Sequence, residues 1–280
     1  MVQCRVGFGH QLKEARLVEP SMSPEARRQG ELWSQAASDW ANLQEPTVFP
    51  AVRRALELLD LRKGERVLDV GCGAGGAMAQ AAKAGVVIDG IDAAPGLIDI
   101  ARRRVPEATF HVADMMALPY QDSVFDVVTG FNVFPYALDP VGALRQARRV
   151  AKSGARFALI VWGTEEECQA TAHFRALRAL LGPAPIGAPS PLAADQRVPH
   201  FLQVAGLHLS HEESVSCPWT YRDNVEALRA LRSAGPVRRV LELLGDDAVD
   251  EALSESLRPF SKDDGEVRLE NIFRVLIATK

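Results

Sequence analysis

Between about residues 65 and 163, short apolar runs rich in β-branched residues alternate with longer segments of helical composition. Residues 66–70 (RVLDV) and 86–91 (VVIDGI) have the length and composition of buried strands. Residues 74–84 between them are alanine-rich with Gln80 and Lys83, a helix-forming mixture, and Gly85 stands where a left-handed C-terminal cap is expected. Pro95 suits the first position of a helix over 96–104. A third strand over 109–112 and a fourth over 125–129 follow; Asp139 and Pro140 then open a helix that runs to Val150, and 156–162 makes a fifth strand. Strands alternating with helices in this way predict a parallel sheet covered on its faces by helices.

The rhythm changes after Gly163. A helix over about 166–181 runs into 182–189, GPAPIGAP, which is too dense in Gly and Pro to be anything but a loop. Residues 195–204 read as helix, 208–216 as a sixth strand, 223–259 as helix in two or three pieces, and 268–278 as a last strand. Ahead of the sheet, 22–61 holds two helical patterns that carry Trp33 and Trp40. The expected organisation is a helical cap over 1–60, a core over 61–222 with 263–280, and a helical insertion over 223–262 that contributes to the cap.

The chain has 280 residues and balances 32 Lys and Arg against 36 Asp and Glu, a net charge of -4. That balance gives no global attraction to nucleic acid or anionic lipid. The Arg pairs fall on helical segments among acids, where a solvated helix face is the ordinary explanation. Cys4, Cys72, Cys168 and Cys217 are too scattered for a disulfide framework or a zinc ribbon. No apolar run approaches the roughly 20 residues needed to span a bilayer, and residues 1–20 lack a signal-peptide core. The expectation is a cytoplasmic protein, monomer or homodimer, without a metal, a membrane or a nucleic-acid partner.

The strongest chemical signal is VLDVGCGAGG at residues 67–76, a buried strand passing through a glycine loop into a helix. Glycines there permit positive φ and close approach of a ligand, and the helix end offers free N–H groups to an anion. Gly71, Gly73 and Gly76 fit the dinucleotide pattern G-x-G-x-x-G, and Gly71, Gly73 and Gly75 fit a tighter one. Asp69 weighs against a dinucleotide, because a carboxylate just before the loop repels a pyrophosphate and favours a ligand bearing an ammonium group. S-adenosylmethionine carries that ammonium beside a carboxylate suited to the helix end. Asp92 closes the second strand, where a carboxylate accepts from ribose hydroxyls in doubly wound folds, and Asp114 follows the third, within reach of an adenine amino group.

Residues 65–163 resemble the class I S-adenosylmethionine-dependent methyltransferases, in the branch acting mostly on small molecules. The match runs through VLDVGCGAGG, VIDGIDAAP, ADMMALPYQDSVFDVV and RRVAKSGARFALIVW. The resemblance implies a Rossmann-like α/β fold: a seven-stranded, mostly parallel sheet in the order 3-2-1-4-5-7-6, its last strand antiparallel, with helical cap elements. It carries Gly71, Gly73, Asp92 and Asp114 into donor binding, with Met115 flanking the adenine and Phe131 near the donor. Asp69, Cys72, Gly75 and Ala93 border these positions and complete the expected site. Ser153-Gly154 replaces a frequent Pro-Gly-Gly, and Ala113 a frequent Gly; neither change removes a required side chain.

Methyl transfer asks the protein mainly to hold a nucleophile in line and exclude water. Trp40, Asn132, Phe134 and Tyr136 are the candidate acceptor-binding residues, and packed core is the plain alternative for the aromatic ones. None of the histidines, His10, His111, His173, His200, His208 and His211, is marked by its spacing, so no catalytic residue is named. The rival readings are an NAD(P)-dependent oxidoreductase and a donor-binding protein without turnover.

Overall fold

The computed structural model describes residues 22–182 and 193–280. Cys4, His10 and nearly all of the predicted loop over 182–189 lie outside these residues.

Helix α1 (Pro24–Ser34) opens with Ser23 as N-cap and Pro24 in its first turn. A short helix α2 (Ala37–Asp39) continues into a π-helical turn over Trp40–Gln44, a 3-10 turn over Glu45–Val48, and helix α3 (Phe49–Leu59). The alternating region then gives β1 (Arg66–Val70), α4 (Gly76–Ala81), β2 (Val87–Asp92), α5 (Pro95–Arg104), β3 (Thr109–Val112), β4 (Phe125–Phe131), α6 (Pro140–Val150) and β5 (Ala151–Trp162). Downstream follow α7 (Thr171–Leu180), α8 (Ala193–Gln196), α9 (Val198–Val204), β6 (His208–Ser216), β7 (Trp219–Tyr221), α10 (Asn224–Arg232), α11 (Gly235–Leu244), α12 (Asp246–Leu257), β8 (Val267–Leu269) and β9 (Ile272–Thr279).

The main sheet has seven strands in the order β3-β2-β1-β4-β5-β9-β6. Strands β3, β2, β1, β4 and β5 are parallel, and β9 runs antiparallel between β5 and β6. With β9 as the seventh strand of the sheet, this is the expected order. The β1 pattern VLDV is buried throughout, as a central parallel strand covered on both faces requires.

Some boundaries differ from the sequence reading. The predicted strand over 268–278 is two strands: β8 pairs with β7 in a separate two-stranded sheet, while β9 joins the main sheet. The break falls at Asn271, a buried residue whose Oδ1 accepts from Ala170 N at 2.9 Å and whose amide donates to Leu269 O. Helix α7 starts at Thr171, later than predicted, because turns fill the stretch before it. Helix α4 tightens into a 3-10 turn over Ala82–Ala84 before Gly85 at φ 72°. No described helix is long and apolar enough to cross a membrane.

Candidate functional site

The parallel topology brings the carboxyl ends of β1, β2, β3, β4 and β5 to one edge of the sheet, and a cavity opens there. The glycine loop forms one wall. Gly71, Gly73 and Gly75 have φ of 69°, 54° and 75°, the left-handed region that glycine enters without a Cβ penalty. A Cβ on Gly71 would also overlap the Val133 side chain. The Asp92 carboxylate holds the loop in place, accepting from Gly73 N at 2.9 Å and Ala94 N at 2.8 Å.

Of the residues expected at the donor, Asp69, Gly71, Cys72, Gly73, Asp92, Ala93, Asp114, Met115 and Phe131 line this cavity. Gly75 does not. It is the N-cap of α4, where a Cβ would press on the Ala101 backbone and methyl, so its conformation serves the loop and helix contact. Of the expected acceptor residues, Trp40, Asn132 and Tyr136 line the cavity, and Asn132 sits at a strained φ of 56° just after β4. Phe134 lies elsewhere: it is buried in the core, and its ring fills the space beside Gly130 that a Cβ would occupy.

The wall is strongly acidic. Asp69 is buried and accepts from Thr129 Oγ1 at 2.6 Å; burial first, then the neighbouring Asp92 and Glu45 charges, push its carboxyl up to about 7. Burial also raises Asp92 against the pull of its backbone N–H partners. Asp114 accepts from Ser23 N at 3.2 Å, Ser23 Oγ at 2.7 Å and Met116 N at 2.8 Å, which ties the start of α1 to the far end of the cavity.

Glu45 is a site residue that the sequence did not disclose. The π-helical turn ahead of it delivers its carboxylate to the glycine loop, where Oε1 accepts from Ala74 N at 3.1 Å and Gly76 N at 3.2 Å. Its other oxygen pairs with Arg104, which also donates to Ala74 O at 2.9 Å. The α4 N-terminus, expected to receive the donor's carboxylate, is therefore capped from within the chain. The same arrangement disfavours a diphosphate, since Glu45, Asp69 and Asp92 all face the loop where it would lie.

Toward the other end the cavity turns aromatic. Trp33 and Trp40 meet edge to face at 4.6 Å, and Trp33 meets Tyr136 at 5.9 Å. Beyond them Trp162 meets Phe273 in a tilted contact at 4.3 Å between centroids and Trp219 at 5.4 Å, while His173 meets Phe174 at 4.1 Å and stacks with Trp219 at 5.9 Å. Leu231 and Val237, from α10 and α11, close this end. Burial pushes His173 down to about 3, so its ring is neutral. His173 Nδ1 and Trp219 Nε1 are buried without a hydrogen-bond partner among the described residues.

Comparison with known proteins bears on this geometry. A family model described as a methyltransferase domain matches residues 68–159, the stretch that supplies β1 to β5 and the acidic wall. Residues 68–159 form a methyltransferase domain. Around this methyltransferase domain, the chain is 37% identical over 126 residues to the 27-O-demethylrifamycin SV methyltransferase of Amycolatopsis mediterranei strain S699, covering 42% of this chain and 46% of that protein. It is 32% identical over 134 residues to the aklanonic acid methyltransferase DauC of Streptomyces sp. strain C5, covering 45% and 61%. The chain spans about half the length of the curated relatives it matches. The methyltransferase fold is also that of the YcgJ protein of Bacillus subtilis (TM-score 0.55, 20% identity, 82% and 97% coverage) and of the [4+2]-cyclase SpnF (0.56, 17%, 94% and 98%).

Proposed function

We propose that this protein transfers a methyl group from S-adenosylmethionine to an oxygen, nitrogen or carbon atom of a small organic acceptor, with an easily ionised oxygen or nitrogen favoured. The observation that carries this reading is the convergence of Asp69, Asp92 and Asp114 beside the glycine loop, in a cavity that continues into an aromatic chamber. When bound, the donor supplies a methyl on a sulfonium that is a ready leaving group. The chain's residues do the rest. Asp69 attracts the ammonium, Asp92 accepts from the ribose hydroxyls, and Asp114 and Met115 border the adenine. Phe131 and Asn132 stand between donor and acceptor, and the cap helices, with Trp33, Trp40 and Val237, exclude water.

The relatives' substrates named above, 27-O-demethylrifamycin SV and aklanonic acid, support a small-molecule acceptor. Because the same fold also belongs to a cyclase, the decisive assay must read methyl transfer itself. Incubation of a cell extract with the protein and donor labelled in the methyl group, followed by mass spectrometry, is expected to yield a labelled small molecule. Calorimetric titration is expected to show binding of S-adenosylhomocysteine and not of NADH; the reverse result would return the glycine loop to the dinucleotide reading. S-adenosylhomocysteine binding with no labelled product would instead favour a protein that holds the donor without turnover.

A further inference from the structure

The aromatic end of the cavity holds an unanswered polar demand. His173 and Trp219 are 3% exposed, both border the cavity, and each has a buried ring nitrogen with no partner among the described residues. A buried N–H or lone pair left unpaired is costly, and native structures keep few of them outside sites where a ligand supplies the partner. Aromatic rings surround the pair: Phe174 lies against His173, Trp162 meets Trp219, and Trp162 in turn contacts Phe174 and Phe273. The two rings lie at 30° to one another with their centroids 5.9 Å apart.

We propose that His173 and Trp219 recognise a hydroxyl group carried on a planar aromatic acceptor. The inference deepens the methyltransferase reading and rests on it. A hydroxyl answers both demands at once: its oxygen accepts from the indole N–H, and its hydrogen is donated to Nδ1 of the neutral imidazole in the tautomer that carries its proton on Nε2. A charged acceptor group is disfavoured because no counter-charge faces this end among the described residues that line it, and desolvating a charge without a partner is expensive. An aromatic skeleton fits the Trp162, Phe174 and Phe273 walls through stacked and edge contacts. His173 is a recognition residue here: it orients the hydroxyl and stays neutral.

The test is calorimetric and uses the full chain with saturating S-adenosylhomocysteine, comparing 2-naphthol with 2-methoxynaphthalene, which keeps the rings and removes the hydroxyl proton. The expected result is that 2-naphthol binds about tenfold more tightly, the worth of one buried hydrogen bond. His173→Phe should cut that preference to about threefold or less, and His173→Gln, which keeps an acceptor, should restore part of it; Trp219→Phe should instead weaken both probes together, because the ether oxygen also accepts from the indole N–H. Melting temperatures establish that each variant is folded, and the Gln and Trp219→Phe variants keep the test open should His173→Phe unfold. Equal affinity of the two probes, no binding of either, a preference that survives in folded His173→Phe, or unchanged affinity of both probes in folded Trp219→Phe would overturn the proposal. Loss of S-adenosylhomocysteine binding by the unmodified protein would instead count against the donor reading, so the two failures are distinct.

Discussion

Asp92 and Asp69 show how one residue type takes two electrostatic roles beside a single loop. Asp92 accepts two backbone N–H bonds and thereby shapes the loop, while Asp69 has a single hydroxyl donor and a buried surround. Asp92→Ala is expected to weaken S-adenosylhomocysteine binding by about 1.5 to 3 kcal/mol, the range for hydrogen bonds to a charged group. Calorimetry measures this, and unchanged affinity would remove the ribose assignment. Asp69 gives a pH dependence whose sign is fixed. With its carboxyl raised from 3.8 to about 7, the folded protein keeps a proton that the unfolded chain has lost, so its contribution to stability is full below the ordinary carboxylate range and declines as pH rises to about 7. An ammonium-bearing ligand prefers the ionised form. Affinity for S-adenosylhomocysteine should therefore rise by up to about tenfold per unit as pH increases toward 7 and then level off. A flat profile in the unmodified protein, or an identical rise in Asp69→Asn, would contradict this.

At the scale of elements, the cap depends on close approach. Gly30 on α1 lies so near the Ala93 carbonyl that a Cβ would overlap it, and Ser34 on the same helix accepts from Gly96 N at 3.1 Å, at the start of α5. Both contacts set α1 over the end of the cavity where Ser23 meets Asp114. Gly30→Val should push α1 off this seat, weakening donor-analogue binding about tenfold or more through the lost wall. Faster cleavage near α1 in limited proteolysis should accompany it. Retained affinity with unchanged cleavage would show that α1 is not a wall of the donor site. The strands and helices of the alternating region were legible because each carries its own period and punctuation, such as Pro95, Gly85 and the Asp139-Pro140 pair. The three-residue strands β7 and β8 were not, since runs that short carry no measurable alternation and form only through pairing of Trp219 with Leu269 and Tyr221 with Val267.

Across the whole molecule, the segments before and after the sheet meet each other as well as the sheet. Tyr221 donates to Gln44 Oε1 at 2.8 Å within the interior, and Gln35 and Arg28 on one side reach Glu242 on the other. The solvent-facing pairs add little each. The pair between Glu45 and Arg104 differs because the carboxylate is buried and ties the turn before α3 to both the glycine loop and α5. Arg104→Met should destabilise the fold by about 3 kcal/mol, since it leaves a buried charge with only backbone donors. Urea denaturation reads that loss, and a shift under about 0.5 kcal/mol, the scale of an ordinary surface substitution, would demote the pair to a surface contact.

The sequence by itself determined the parallel alternation, the glycine loop and the acids at successive strand ends, because each is written in residues near one another along the chain and needs only local rules of period and turn. It also marked most of the residues that line the acidic wall of the cavity, since strand ends in a parallel sheet share an edge by topology. The tertiary structure alone decided that Glu45 caps α4, that Phe134 and Gly75 belong to the framework, and that His173 from α7 meets Trp219 from β7 beside the cavity. Those facts follow from how distant segments pack over the sheet, and an isolated histidine or glutamate in a helical pattern carries no trace of the neighbour that packing will bring to it.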